Sequence, residues 1–276
     1  MNPLVEEMVL ENVTPGSILI WWIGQSGFVL KTHKLTLYID PYLSRFAERI
    51  TQGKVNEHIR MSQPPMEPHE VINADLVFCT HDHADHIDPD GIPMISKASP
   101  KAQFLIPRCA MKTVLDYGID SSRIHTLSGD DSLMIKGVEV FGIPAKHERF
   151  DKDEKDGFPY LSYLIRIDNM TIFHAGDTIP YDGQIEKIRP FNVDLAFVPI
   201  NGRDDFRHNL QFEGNFDSKE AVEFAKRIGA KMTIPMHYNM FTLNTADVHD
   251  FVKIAQQHNI NHLVMNHGEK IVFPVI

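Results

Sequence analysis

Apolar residues recur along this chain in short runs that suit strands. Thirteen segments of β-branched, aromatic or aliphatic residues predict strands at Ser17–Ile23, Gly27–Lys31, Leu35–Asp40, Asp75–Thr80, Gln103–Pro107, Arg123–Leu127, Val138–Pro144, Leu161–Asp168, Thr171–Ala175, Asp194–Pro199, Met232–Met236, His262–Asn266 and Lys270–Pro274. Several, such as Leu195-Ala196-Phe197-Val198, are apolar throughout rather than alternating, as expected of strands covered on both faces. Helical signals fall between the later strands. Pro107-Arg108-Cys109 opens a helix to about Asp116, with Gly118 as its stop. Asp217-Ser218-Lys219-Glu220 starts another that runs to Ile228 before Gly229, and Thr245 is placed as the N-cap of a third reaching His258. Many strands with helices between them predict an α/β sandwich of two sheets covered by helices.

Three polar or Pro-rich stretches interrupt this pattern, at 41–73, 146–159 and 201–216. Loops of that length in a compact domain are often binding loops, although a mobile solvent loop has the same composition. No Gly/Ser linker and no repeat divides the chain, so residues 1–276 read as one domain. The length is just under twice the ~150-residue domain prior, enough for a large core without covalent staples.

Charge and cysteine content narrow the function classes. With 27 basic and 37 acidic residues the formal charge is −10, a poor basis for binding nucleic acid or an anionic membrane. Two cysteines, Cys79 and Cys109, exclude a disulfide framework and a cysteine-rich zinc module. The first residues show neither a basic nor an apolar region of a signal peptide, and no run is long enough to span a bilayer, so a cytoplasmic setting is expected. A homo-oligomer is compatible with all of this.

The chemistry concentrates in Thr80-His81-Asp82-His83-Ala84-Asp85-His86, which follows the strand ending near Cys79. Three imidazoles and two carboxylates within six residues match the ligand preferences of zinc, manganese or iron. Further strand ends supply His147, Asp177 and His237. Each alone reads as an ordinary structural residue, and only the set gains meaning.

That set, with Ile20-Trp21-Trp22-Ile23-Gly24-Gln25-Ser26-Gly27-Phe28, Asp40-Pro41-Tyr42 and Ile234-Pro235-Met236-His237, resembles the metallo-β-lactamase superfamily, and within it the ascorbate-6-phosphate lactonase-like branch. The resemblance covers nearly the whole chain. It implies the four-layer αβ/βα sandwich, with His81, His83 and His147 on one metal, Asp85, His86 and His237 on another, and Asp177 bridging. Asp85 and Asp177 are then catalytic carboxylates as well as ligands. The cofactor expected is two divalent ions, manganese or zinc rather than iron, since the diiron oxidoreductases of the superfamily typically carry Glu where His83 stands.

A cation lowers the pKa of bound water to about 7, so such a site needs no serine or cysteine nucleophile. The expected activity is hydrolysis of a small anionic substrate by a metal-bound hydroxide, in its sharpest form the opening of a sugar-acid phosphate lactone. A phosphodiesterase of the same fold is the alternative, and a non-catalytic metal-binding or ligand-sensing module is the alternative of another class. Gly24-Gln25-Ser26-Gly27 reads as a turn between strands, not a nucleophile elbow. Asp82 and Asp40 are candidates to orient ligand imidazoles, and His174 reads as a core histidine. Arg203, Arg207, Arg149 and Tyr238 are the candidate substrate contacts, the arginines for their fit to phosphate.

Overall fold

A computed structural model describes residues 1–274. Its strands are β1 (Ile18–Gly24), β2 (Gly27–Lys31), β3 (Thr36–Ile39), β4 (Leu76–Phe78), β5 (Gln103–Pro107), β6 (Ile124–Leu127), β7 (Asp131–Ile135), β8 (Val138–Pro144), β9 (Leu161–Ile167), β10 (Met170–His174), β11 (Leu195–Pro199), β12 (Met232–Met236) and β13 (Lys270–Phe273). The helices are α1 (Pro3–Leu10), α2 (Phe46–Thr51), α3 (Gly91–Ala98), α4 (Met111–Asp116), α5 (Gln184–Ile188), α6 (Asp205–Asn209), α7 (Ser218–Ile228) and α8 (Val248–Gln257). They form two sheets, one in the order β13-β1-β2-β3-β4-β5-β6 and the other β12-β11-β10-β9-β8-β7.

Strand β1 shows why the apolar runs do not alternate. Ile18, Ile20 and Trp22 point into the core between the sheets, while Leu19, Trp21 and Ile23 join a second core with Val5 and Met8 of α1, Ile92 and Ile95 of α3 and Val114 of α4. Period-2 side chains on a strand covered twice leave no polar position. On the far side, Ala221, Val222 and Phe224 of α7 and Phe251 and Ala255 of α8 close the core behind the second sheet. The layers are helix, sheet, sheet, helix, the αβ/βα sandwich that the sequence implies. Helix α7 starts at a capping box in which Asp217 and Glu220 each accept from the other's backbone N–H, and ends on Gly229 in the left-handed region.

Three expectations change. The segment 262–266 is not a strand; only His262 forms a bridge, to Thr233, at the edge of the second sheet. Asp247, not Thr245, caps α8, accepting from the His249 N–H at 2.9 Å, while Thr245 Oγ1 accepts from the Asn239 N–H. Strand β7 and the helices α1, α2, α3, α5 and α6 have no counterpart among the predicted elements. Among the described residues no helix is long and apolar enough to cross a membrane.

Strand direction positions the site. Strands β1, β3, β4 and β5 run parallel in the first sheet, and β8, β10, β11 and β12 in the second. The carboxyl ends of β3, β4, β8, β10 and β12 are followed directly by Asp40, the segment 81–86, His147, Asp177 and His237. Ligand sites favour such edges because loops leave the sheet there while the strands stay rigid.

Candidate metal centre

The seven ligand candidates come together. His81, His83 and His147 offer ligand atoms within 4.8 Å of one another, and so do Asp85, His86 and His237. Asp177 touches both groups: Oδ1 lies 3.3 Å from His86 Nε2, and Oδ2 lies 3.2 Å from His237 Nε2 and 3.8 Å from His147 Nε2. A close turn brings Asp177 there. Gly176 has φ +57°, and a Cβ on it would stand 2.9 Å from Thr80 Cβ and 3.0 Å from the Leu161 carbonyl oxygen. His237, at φ 62°, holds a left-handed conformation that is sparsely populated for a non-glycine residue.

Buried polar atoms without partners show what these residues fit. His81 Nε2, His86 Nε2 and Asp177 Oδ1 are shielded from solvent, and each lacks a hydrogen-bond partner in the protein. Each such atom costs roughly 1–3 kcal/mol. Imidazole and carboxylate donors gathered this way suit a divalent cation.

Electrostatics point the same way. Burial pushes His81 well below its usual range and His147 down to about 4, so both rings are neutral near pH 7 with a lone pair to give. Burial also opposes charge on His86, but Asp40, Asp177 and Asp85 override it and raise that imidazole well above its usual value. For Asp177, burial opposes ionisation, yet His237 and His86 hold the carboxyl well below the usual carboxylate range. Without a cation the site therefore keeps a proton on His86 among three carboxylates. Uptake of a divalent cation should displace it, together with any proton that Glu148 holds on His83, so affinity should rise with pH below the pKa values of these imidazoles. Calorimetry in buffers of different ionisation enthalpy reads this directly; uptake without proton release would contradict it.

Behind the ligands stand groups that orient them. Asp40, fully buried, accepts from His86 Nδ1 at 2.8 Å and from the Thr80 N–H and Oγ1, each at 2.8 Å, which leaves His86 Nε2 to face the site. Asp82 accepts instead from Thr113 Oγ1, so it orients no ligand ring. His174 is a core residue whose Nε2 donates to the Ser26 carbonyl oxygen at 2.8 Å. Two further positioning residues are not among the site residues read from the sequence. Glu148 accepts from His83 Nε2 at 3.1 Å, which leaves Nδ1 as the free ring nitrogen, and is itself held by the Tyr160 hydroxyl at 2.7 Å. Gln25, in the β1–β2 turn, places its side-chain amide nitrogen 2.9 Å from Asp85 Oδ2 and 3.1 Å from His237 Nε2, while its main-chain carbonyl oxygen accepts from the His237 N–H.

Above the ligands lies a cavity of about 320 Å³, lined by His83, Asp85, His147, Asp177 and His237 together with residues of all three long loops: Ile50, Thr51 and His58; Glu148; Gln211, Phe212 and Glu213. The four expected substrate contacts line other surfaces. Arg203 is paired through both nitrogens with Glu220, at 2.6 and 2.7 Å. Arg207 is held by Asp204 Oδ2 and the Asn201 carbonyl oxygen, both at 2.6 Å. Arg149 lines a separate hollow beside Cys109 and Asp153. Tyr238 is buried against Trp22, with its hydroxyl directed at the Met265 carbonyl oxygen. Arg203 and Arg207 are satisfied by neighbouring carboxylates and carbonyls, and Tyr238 is packed into the core.

Comparison with known proteins agrees with this geometry. A family model described as a β-lactamase superfamily domain matches residues 36–238. A metal-dependent hydrolase of Pelotomaculum thermopropionicum is 30% identical over 239 residues, 84% of this chain and 89% of that one. A probable L-ascorbate-6-phosphate lactonase of Escherichia coli is 22% identical over 277 aligned positions, 88% of this chain and 76% of its own length. Among solved structures, a metallo hydrolase of Ignicoccus hospitalis superposes with a TM-score of 0.68 at 21% identity, over 94% of this chain and 100% of that one.

Proposed function

We propose that this chain, which belongs to the β-lactamase superfamily and is a metal-dependent hydrolase, holds two divalent cations, manganese or zinc, and cleaves an ester-like bond in a small anionic substrate. The observation that carries this reading is the contact of Asp177 with both ligand groups: Oδ2 faces His147 of one and His237 of the other, and Oδ1 faces His86. His81, His83 and His147 would hold one cation and Asp85, His86 and His237 the other, with Asp177 between them. When bound, the cations would acidify a water to a pKa of about 7 and polarise the oxygen of the scissile group.

The chain's own residues fix the rest. Asp40 and Glu148 set which nitrogen of His86 and His83 faces the site, and Gln25 ties Asp85 to His237. The cavity lining contains no Lys or Arg. A substrate anion would thus be balanced at the ligand floor rather than by a guanidinium clamp. The sharpest version is a sugar-acid phosphate lactone, a reading supported by the likeness to the E. coli protein. A phosphodiester is the second reading, favoured by that same lining, since its single charge needs no clamp beyond the floor. We place the protein in the cytoplasm, acting without nucleic-acid or membrane partners.

The test is lactone opening of L-ascorbate 6-phosphate by protein loaded with manganese or, in parallel, zinc. Metal-dependent turnover of roughly 1–10³ s⁻¹ is expected. No turnover with either metal would remove the sugar lactone and put bis(p-nitrophenyl) phosphate next.

A further inference from the structure

We propose that His58 is a catalytic proton carrier of this site: its Nε2 takes a proton from the attacking water and delivers it to the leaving oxygen. The inference rests on the hydrolytic reading above. No motif of the sequence marks His58. It lies in the long loop 41–73, and the fold brings it into the cavity lining with His83, Asp85, His147, Asp177 and His237.

Its hydrogen bonds fix the tautomer. His58 Nδ1 lies 3.0 Å from the Asn56 carbonyl oxygen and 3.3 Å from Thr51 Oγ1. A carbonyl oxygen can only accept. The Thr51 hydroxyl spends its proton on the Ala47 carbonyl oxygen at 2.7 Å and accepts from the His58 N–H at 2.9 Å. Nδ1 must therefore carry the hydrogen, which leaves Nε2 as a bare lone pair with no partner in the protein.

Packing holds the ring in place. Its centroid is 4.9 Å from that of Phe212 and 4.8 Å from that of Phe241, the latter edge-on. The chain after His58 is knitted to the segment that follows His237, through the Thr242 N–H to the Ile59 carbonyl oxygen at 3.0 Å and the Met61 N–H to the Met240 carbonyl oxygen at 2.7 Å. Such anchoring is what a proton carrier needs to stay within reach of reacting atoms. Burial lowers the imidazole pKa, against the opposing pull of Asp85, after β4, and Glu48 of α2, so the resting ring is neutral.

The step balances. The water oxygen bonds to the carbonyl carbon or phosphorus as its O–H bond breaks, and the proton goes to Nε2. The bond to the leaving oxygen then breaks with its electron pair, and the proton on Nε2 completes the new hydroxyl. The imidazole ends neutral, as it began.

Two measurements test this. Nitrogen-15 NMR of the metal-free protein should show His58 with a protonated Nδ1 and a bare Nε2; a ring protonated on Nε2 overturns the inference in every case. Kinetics of H58Q should show kcat for ethyl butyrate reduced about 10²–10⁴-fold. For p-nitrophenyl butyrate, whose leaving group needs no proton, only the transfer from water is lost, so the loss should be at least about tenfold smaller than for ethyl butyrate, with metal content unchanged. Equal losses on the two esters, no loss on either, or loss of metal would overturn it. If the wild-type protein cleaves neither ester, the hydrolytic reading fails for esters, while NMR still decides whether His58 presents the bare nitrogen.

Discussion

Replacing Asp177 with alanine should lower kcat/KM by more than about 10³-fold and reduce the bound metal. The expectation follows from its two-sided contact. One oxygen faces His86 and the other faces His147 and His237, so no other side chain can substitute for it. Asp177→Asn is the sharper control, because it keeps the volume and one oxygen but removes the charge that His237 and His86 stabilise. Activity assays paired with metal analysis check both variants. Activity of Asp177→Ala within about tenfold of wild type would remove this residue from the centre of the site.

The second large effect is structural. Asp40→Ala strips three donors of their acceptor at once: His86 Nδ1, the Thr80 N–H and Thr80 Oγ1, all buried. Breaking a buried, hydrogen-bonded charge pair from one side costs roughly 3–5 kcal/mol. Loss of an outer partner of a metal-ligating histidine weakens metal binding by about 10–100-fold. Urea unfolding of the metal-free variant reads the first effect and metal titration the second. A destabilisation under about 1 kcal/mol would mean that Asp40 is not the fixed point of the His86 ring. Asp40→Asn should recover part of the stability, because its amide oxygen still accepts from the Thr80 N–H, and recover less of the metal affinity.

Much of this arrangement is legible in the sequence, for a physical reason. Apolar strands announce themselves by composition. Three imidazoles and two carboxylates crowded into six residues are a dense set of donor atoms that suits a divalent cation. The helices without a clear sequence signal are short. Helix α2 has six residues and no side-chain cap, and α5 and α6 have five each. Strand β7 is an edge strand with Asp131 and Ser132 at its start and Ser132 and Met134 exposed, so its apolar run is only the three residues Leu133–Ile135. Thr245 and Asp247 are both good caps, and only the tertiary fold decides between them.

The site residues that the sequence hides share a different property. Gln25, Glu148 and His58 are ordinary polar residues of turns and loops, and their meaning depends on partners 60 or more positions away, such as Asp85 for Gln25 and His83 for Glu148. His58 touches Phe212 from the third loop. Arg203 and Arg207 fail in the opposite sense. Their residue type suits an anion, but nearer carboxylates, Glu220 and Asp204, already satisfy it.

The central claim is that His81, His83, Asp85, His86, His147, Asp177 and His237 form one centre for two cations. The direct measurement is metal content by mass spectrometry after loading with manganese and removal of excess ion. The account predicts about two ions per chain, falling in both His83→Ala and His237→Ala. One ion or none in the wild-type protein, or a content indifferent to both substitutions, would contradict it.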